Sequence, residues 1–309
     1  MKSAIVTGAN GFIGSAVVRK LLDEKIRVFA IVHNGNTCNL PNHPLLSIVS
    51  CDLNKYKELN TLIDKDNYDY FFHFAWNGSA GDARSDYELQ LNNVKNSLDA
   101  IVVAKQLGCS RFIAAGSIIE HESIAATYTD KNRPGVNYIY GSAKTTFHLM
   151  GAPLAAKIGI ELIWGNITNA YGVGELSPRL VNTTIRKCIN GITPEFTSGT
   201  QRYDFIYIDD IANAFFLIAT KGVPFRSYTL GSSNSKPLKS FLIEMQNAIA
   251  PDIEFKFGDI PFTGVDLPEE CFDCTNLQKD TGFVATISFS EGCKKTYQWL
   301  KEVMDEQSL

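Results

Sequence analysis

An apolar strand that runs straight into closely spaced glycines has few ways to continue. Ala4, Ile5 and Val6 lead into Thr7–Gly14, TGANGFIG, where Gly8, Gly11 and Gly14 stand three apart. The early glycines permit backbone angles and a close approach that a Cβ would forbid. The amides that open the following helix then point at an anion, which the helix dipole also favours. The last glycine lets helix and strand pack tightly. A strand, turn and helix in this order predict a dinucleotide site built on Gly8, Gly11, Phe12, Ile13 and Gly14.

The rest of the first half agrees with that start. After a helix over 12–24 come IRVFAIV (26–32), LLSIVSCDL, a short helix over Asn54–Lys65, and DYFFHFAW (69–76), which is almost continuously apolar. Such runs are typical of parallel strands buried on both faces. A long helix over 84–108, a strand RFIAAGS (111–117), a helix over 139–159 and a strand IELIWGNI (160–167) continue the rhythm. The alternation predicts an α/β fold, a Rossmann-type doubly wound parallel sheet. Past Tyr171 the rhythm breaks into a smaller mixed lobe. We expect residues 1–173 to bind the dinucleotide, with a return to that unit at 203–231, and 174–202 with 232–309 to form the substrate lobe.

Composition excludes more than it selects. The 309 residues are 20% charged with a formal net charge of −4, so no basic excess points to nucleic acid, and no apolar run approaches the ~20 residues of a membrane span. The opening strand leaves no room for a cleavable leader, and seven scattered cysteines suit reduced thiols, so a cytoplasmic protein is expected. The pair in CFDC, Cys271 and Cys274, lacks a second pair or a nearby histidine, and no metal site is expected.

Strand two ends in Ile31, Val32, His33, Asn34 without the acid that usually takes the adenosine ribose hydroxyls. Without that charge a 2'-phosphate is admissible, and His33 could face it, so NADP stands beside NAD, with NADP favoured. Asp52, followed by Leu53, either accepts from the adenine amine or caps the next helix.

The chemistry is expected in YIYGSAK, where Tyr140 and Lys144 share one helix face, one turn apart. An ammonium beside a phenol favours phenolate and draws the tyrosine pKa down from ~10. A tyrosine so tuned passes a proton to or from an alcohol oxygen while hydride moves at the adjacent carbon. Ser117 ends the preceding strand and either holds the substrate oxygen beside Tyr140 or caps a helix.

TGANGFIG, Asp52-Leu53, HFAW (73–76), NNV (92–94), AAGS (114–117), YGSAK (140–144), NAYGVGE (169–175) and YDFIYIDD (203–210) occur in the order found in extended short-chain dehydrogenases/reductases. The chain resembles the NAD-dependent epimerase/dehydratase family over nearly its whole length. The resemblance implies a nicotinamide enzyme acting on a nucleotide-activated sugar. It places Ser117, Tyr140 and Lys144 at catalytic positions. Ala75, Asn93 and Lys144 join the glycine-turn residues, Asp52 and Leu53 at cofactor positions, and Asn169 falls where the substrate diphosphate is met. It also implies a homodimer through the helices of 84–108 and 139–159.

The departures narrow the reaction. Dehydratases of the family carry an acid pair after the catalytic Ser/Thr; here Ile118 and Ile119 stand there, and an aliphatic residue cannot shuttle a proton. Glu120, His121 and Glu122 either touch the sugar or, as expected here, stand as solvated charges at a loop start. Tyr203 occupies the usual diphosphate arginine position, so Arg202 or Arg179 must supply that charge. Trp76 stands where a small residue is common, and either narrows the site or packs. The leading expectation is a nucleotide-4-keto-sugar reductase. The alternatives are a nucleotide-sugar 4-epimerase with tightly held NAD and, in a different class, a non-catalytic NADP-sensing regulator.

Overall fold

Parallel strands account for the position of the glycine turn. In the computed structural model, which describes residues 2–64, 68–128, 135 and 138–306, the first half runs β1 (Ser3–Thr7), α1 (Phe12–Asp23), β2 (Arg27–Val32), β3 (Leu46–Ser50), α2 (Leu59–Leu62), β4 (Tyr70–His73), α3 (Tyr87–Gln106), β5 (Arg111–Ser117), α4 (Ile119–Tyr128), α5 (Tyr138–Ile158) and β6 (Glu161–Ile167). Then follow β7 (Asn169–Tyr171), α6 (Leu180–Ile189), β8 (Glu195–Phe196), β9 (Arg202–Tyr203), β10 (Phe205–Tyr207), α7 (Ile208–Lys221) and β11 (Ser227–Leu230). The last stretch holds β12 (Lys236–Pro237), α8 (Leu238–Ile249), β13 (Lys256–Phe257), α9 (Thr275–Thr281) and α10 (Phe289–Glu306).

The seven-stranded sheet has the order β11-β6-β5-β4-β1-β2-β3, parallel throughout. The chain leaves β1 for β2 on one side and later resumes at β4 on the other, so a crevice opens above the carboxyl end of β1, where ligands sit in such folds. In register, Thr7 lies beside Ile31 and His73, and Ser117 beside Ile167, so those side chains share one edge.

Two apolar layers hold the sheet. On one face Val17, Val18 and Leu21 of α1 and Phe215 and Ile218 of α7 pack over Val6, Phe72 and Ile163. On the other, Val94 and Ile101 of α3 and Phe147 and Ala155 of α5 cover Ile5, Phe71 and Phe112. Each fully buried large side chain is worth ~1.5–3 kcal/mol. The chain rejoins the sheet at Ser227–Leu230, after α7, whereas Phe205–Tyr207 pairs with Asn169–Tyr171 in a separate two-stranded ladder.

Two boundaries differ from the periodicity in ways that matter. The short element after β3 is a 3-10 turn over Leu53–Glu58 followed by α2, and Lys65 lies outside the described residues. The long helix starts at Tyr87, because the Asp86 carboxylate accepts from the Leu89 amide at 3.0 Å and caps it there. Gly81–Ser85 then forms a separate turn, which frees Arg84 from the helix.

Candidate active site

The glycine turn makes a cradle that side chains would fill. Gly8 has φ +63°, and a Cβ on it would stand 2.7 Å from the Ala75 amide; one on Gly14 would stand 2.1 Å from the Gly8 carbonyl oxygen. Gly11 is the N-cap of α1 and offers no side chain to its first amides, and the first turn holds no acid. Those amides stay available for an anion. A cleft of about 360 Å³ opens above them, lined by Gly8, Gly11, Phe12, Ile13, Gly14, His33, Leu53, Ala75, Ser117, Tyr140, Lys144 and Arg179, among others. The cradle and its length along the sheet edge fit a dinucleotide.

The other expected cofactor residues stand just behind that lining. Asn93 is buried, and its side chain clamps the Asn77 backbone, donating to the carbonyl at 2.7 Å and accepting from the amide at 3.1 Å. It thereby shapes a loop residue that does line the cleft. Asp52 does not cap the 3-10 turn; its carboxylate lies 2.6 Å from His33 Nδ1, while Asn34 Nδ2 lies 2.7 Å from His33 Nε2. This corrects the expectation that no fixed negative charge stands at the end of strand two. The acid arrives from the end of β3, a neighbouring strand, where the local sequence of β2 cannot reveal it.

Ser117, Tyr140 and Lys144 converge on the cleft, but the electrostatics differ from those the spacing suggested. Burial raises the Tyr140 phenol; Arg179 and Arg84 oppose it, as does a hydrogen bond with Ser117. Lys144 has contacts of its own. Its Nζ donates to the Ala115 carbonyl at 3.0 Å and sits 3.8 Å from the Trp76 ring centre, and burial brings it down to about 7. Trp76 therefore lines the site as well as packing, and its indole N–H donates to Gln90 at 2.7 Å.

Arg84 carried no signal in GDARS, yet its guanidinium carbon lies 4.7 Å from the centre of the Tyr140 ring, and its Nε is buried without a hydrogen-bond partner. It lines a second hollow of about 240 Å³ together with Asn169, Glu175, Arg179 and Tyr203. Arg179 borders both hollows and pairs with buried Glu175 at 3.3 Å. Arg202 reaches neither: its guanidinium is engaged by the Ser235 carbonyl at 2.9 Å and by Glu269 at 3.3 Å. As the alternation of an extended segment requires, Tyr203 faces the hollow instead.

The stretch after Ser117 is helical and largely internal. Ile118 is buried against Leu267 and Phe272 where an acid would stand in a dehydratase. Glu120, expected in solvent, is 5% exposed. Its Oε1 accepts from the Ser117 amide at 2.8 Å and the Trp164 indole at 3.2 Å. Glu122 is also shielded; burial raises its carboxyl and Arg84 opposes that. The reason is α4 itself, whose first turn folds these acids back over the end of β5.

Comparison with known proteins agrees with this architecture. The chain is 24% identical to a dTDP-glucose 4,6-dehydratase of Neisseria meningitidis, over 97% of this chain and 93% of that one. Among solved structures it superposes on a UDP-glucose 4-epimerase of Thermotoga maritima with a TM-score of 0.82 at 19% identity, covering 98% of this chain and 99% of the other. The Bordetella bronchiseptica enzyme WbmF in complex with NADH gives 0.80 at 21%, covering 98% and 93%. These structural likenesses establish the fold. The model of the NAD dependent epimerase/dehydratase family matches residues 4–231, and the chain belongs to that family.

Proposed function

We propose that the protein exchanges a hydride at C4 of a nucleotide-activated sugar and retains NAD through turnover, as a nucleotide-sugar 4-epimerase. The observation that carries this reading is the convergence of Ser117, Tyr140 and Lys144 on the cleft above the glycine cradle. A bound nicotinamide would supply the acceptor and donor of that hydride. Tyr140 Oη takes the proton of the sugar hydroxyl and later gives it back. Ser117 holds the same oxygen, and Arg84 and Arg179 favour the phenolate. Lys144, an ammonium when protonated, holds the ribose. Asn169 and Arg179 take the diphosphate in the second hollow.

Two observations support this choice among the family's reactions. Ile118 and its apolar contacts leave no proton shuttle where loss of water from the sugar would need one. Asp52 at His33 opposes a 2'-phosphate, which favours NAD over NADP and a held cofactor over the exchangeable one of a 4-keto-sugar reductase. The named relatives act in the same chemical territory, a dTDP-glucose dehydratase and a UDP-glucose epimerase.

We further propose residues 1–173 with 203–231 as the cofactor unit and 174–202 with 232–309 as the substrate lobe. A homodimer through α3 and α5 is supported by Tyr87, Leu91, Leu149 and Met150, which leave 52–69% of their surface exposed. No helix among the described residues is long and apolar enough to cross a membrane. The seven free thiols support a cytoplasmic setting.

The test is to incubate the purified protein with UDP-, dTDP-, GDP- and CDP-sugars and follow C4 configuration by NMR. Inversion with no net consumption of nicotinamide, by a protein that purifies with cofactor absorbance, is expected. Stoichiometric oxidation of added NADPH on a keto sugar would establish the reductase instead.

A further inference from the structure

The spacing that joins Tyr140 to Lys144 continues for one more turn, to His148, so one face of α5 presents a phenol, an amine and an imidazole in succession. Glu120 of α4 stands at the buried end of that row. Its Oε1 is held by the Ser117 amide and the Trp164 indole, and its Oε2 lies 3.5 Å from His148 Nδ1. The His148 ring is stacked on Trp164 at 4.1 Å and 3°, and its Nε2 lies 3.0 Å from Ser227 Oγ on β11. Gly116 makes room for the pair. A Cβ there would come within 2.1 Å of Trp164 Nε1 and 2.7 Å of Glu120 Oε1.

A carboxylate this deep is costly unless it is hydrogen-bonded and matched by positive charge. The two donors supply the first. His148 matches it only when protonated. Lys144, 6% exposed, has the converse need, since its contacts are a neutral carbonyl and an aromatic face.

We infer that Glu120 is a positioning residue of the site, which ties the Ser117 end of β5 to Trp164 of β6 through one hydrogen bond from each and acts as the counter-charge of Lys144. The other titratable groups around Lys144 do not take that part. From β4 comes His73, which burial lowers to about 3 and which is held by Thr7 at 2.9 Å and Ser97 at 2.8 Å, so it is neutral. On α5 the neighbours are Tyr140 and His148. On α4, burial lowers His121, while Glu122 is matched to Arg84 across the Tyr140 side; Glu175 is paired with Arg179. Desolvation lowers Lys144 and the Glu120 charge opposes it, which together leave it at about 7. Removing that charge therefore lowers the pH at which Lys144 loses its proton.

This inference rests on the proposed Tyr140–Lys144 chemistry for its functional meaning, so its test is read without turnover. Protein labelled with ε-¹³C-lysine is titrated by NMR, the Lys144 resonance being assigned by its loss in Lys144→Met. In Glu120→Gln, which keeps the carbonyl acceptor and removes the charge, the Lys144 midpoint is expected to fall by about one pH unit or more. A midpoint equal to wild type overturns the inference. In His148→Gln, which keeps the carboxylate and removes the imidazole, the midpoint holds or rises; a fall there would mean that any disturbance of packing lowers it, and would also overturn the inference. If Glu120→Gln does not fold, the double variant Glu120→Leu, Trp164→Phe removes the carboxylate together with its side-chain donor and leaves only the Ser117 amide to be satisfied. The same fall is expected, and its absence counts equally against the inference. Once sugar turnover is established, the alkaline limb of kcat should move down with the NMR midpoint in Glu120→Gln. A moved midpoint without turnover on any nucleotide sugar leaves the inference standing and removes the functional reading.

Discussion

Two strands of one sheet end in the same way and use the ending for opposite purposes. β1 runs into Gly8 and then α1; β5 runs through Gly116 and Ser117 into α4. At Gly8 the missing Cβ keeps the backbone of Ala75 close and leaves the cradle open to a ligand. At Gly116 the missing Cβ is filled by the protein itself, with the Trp164 indole and the Glu120 carboxylate. A glycine at a strand end thus marks a close approach, and only the approaching group says whether binding or internal order results.

The sharpest way to separate the two ends is to disable the chemistry at one and ask whether the other notices. Tyr140→Phe removes the proposed proton-transfer group and keeps the ring under Arg84 and beside Trp76. Turnover is expected to fall ~10²–10⁴-fold, with cofactor affinity unchanged because the glycine cradle is untouched. Near-wild-type kcat in steady-state assays would remove Tyr140 from the mechanism.

The two glycines themselves give the next largest effects. Gly116→Ala forces a methyl against Trp164 and Glu120, an overpacking expected to cost ~1–3 kcal/mol of stability, read in a denaturant melt. Gly8→Ala adds a methyl against backbone and strains a φ of +63°, so its cost of ~1–3 kcal/mol should appear in cofactor affinity as well as in the melt. If Gly116→Ala weakens cofactor binding as much as Gly8→Ala does, the contrast between the two ends is wrong.

That contrast also explains which parts of the molecule the residues announced. The sheet was legible because buried parallel strands read as unbroken apolar runs, and RFIAAGS forms β5 over the expected residues. The glycine cradle and the Tyr140–Lys144 pair were legible because each is local, within one turn of backbone. Glu120 was not, because the groups that bury it come from β6 and α5, far along the chain. Arg84 was hidden for a different reason. The apolar periodicity of α3 ran back through it, and only the Asp86 cap stops the helix and turns Arg84 toward Tyr140. Asp52 was hidden for a related reason, since it follows β3 and meets His33 at the end of the neighbouring β2.

Arg84 sharpens the comparison at the β5 side by its effect on pH. Burial raises Tyr140, and Arg179 and Arg84 act against that. Where Tyr140 must accept a proton, activity rises with pH through its titration. Arg84→Gln removes one of the opposing cations, so the rising limb of kcat/KM should move to higher pH, with about tenfold less activity below it. A limb that stays in place would mean that Arg84 does not act on the phenol.

The smallest expected effect belongs to the β1 side and decides the cofactor. Asp52 stands against His33 at the end of β2, with about a third of its side chain exposed, so its field is partly screened. A 2'-phosphate arriving there meets one negative charge at moderate dielectric, worth ~1 kcal/mol or about fivefold. Asp52→Asn keeps a hydrogen-bonding group beside His33 and removes the charge. The ratio of kcat/KM for NADPH over NADH should then rise about fivefold, and the rise should shrink as salt is added, since an exposed charge is what has been deleted. A ratio that does not change would mean that Asp52 only orients His33 and that the 2' position lies beyond its reach. A rise insensitive to salt would mean that something other than the deleted charge sets the preference, because only a charge effect answers to ionic strength.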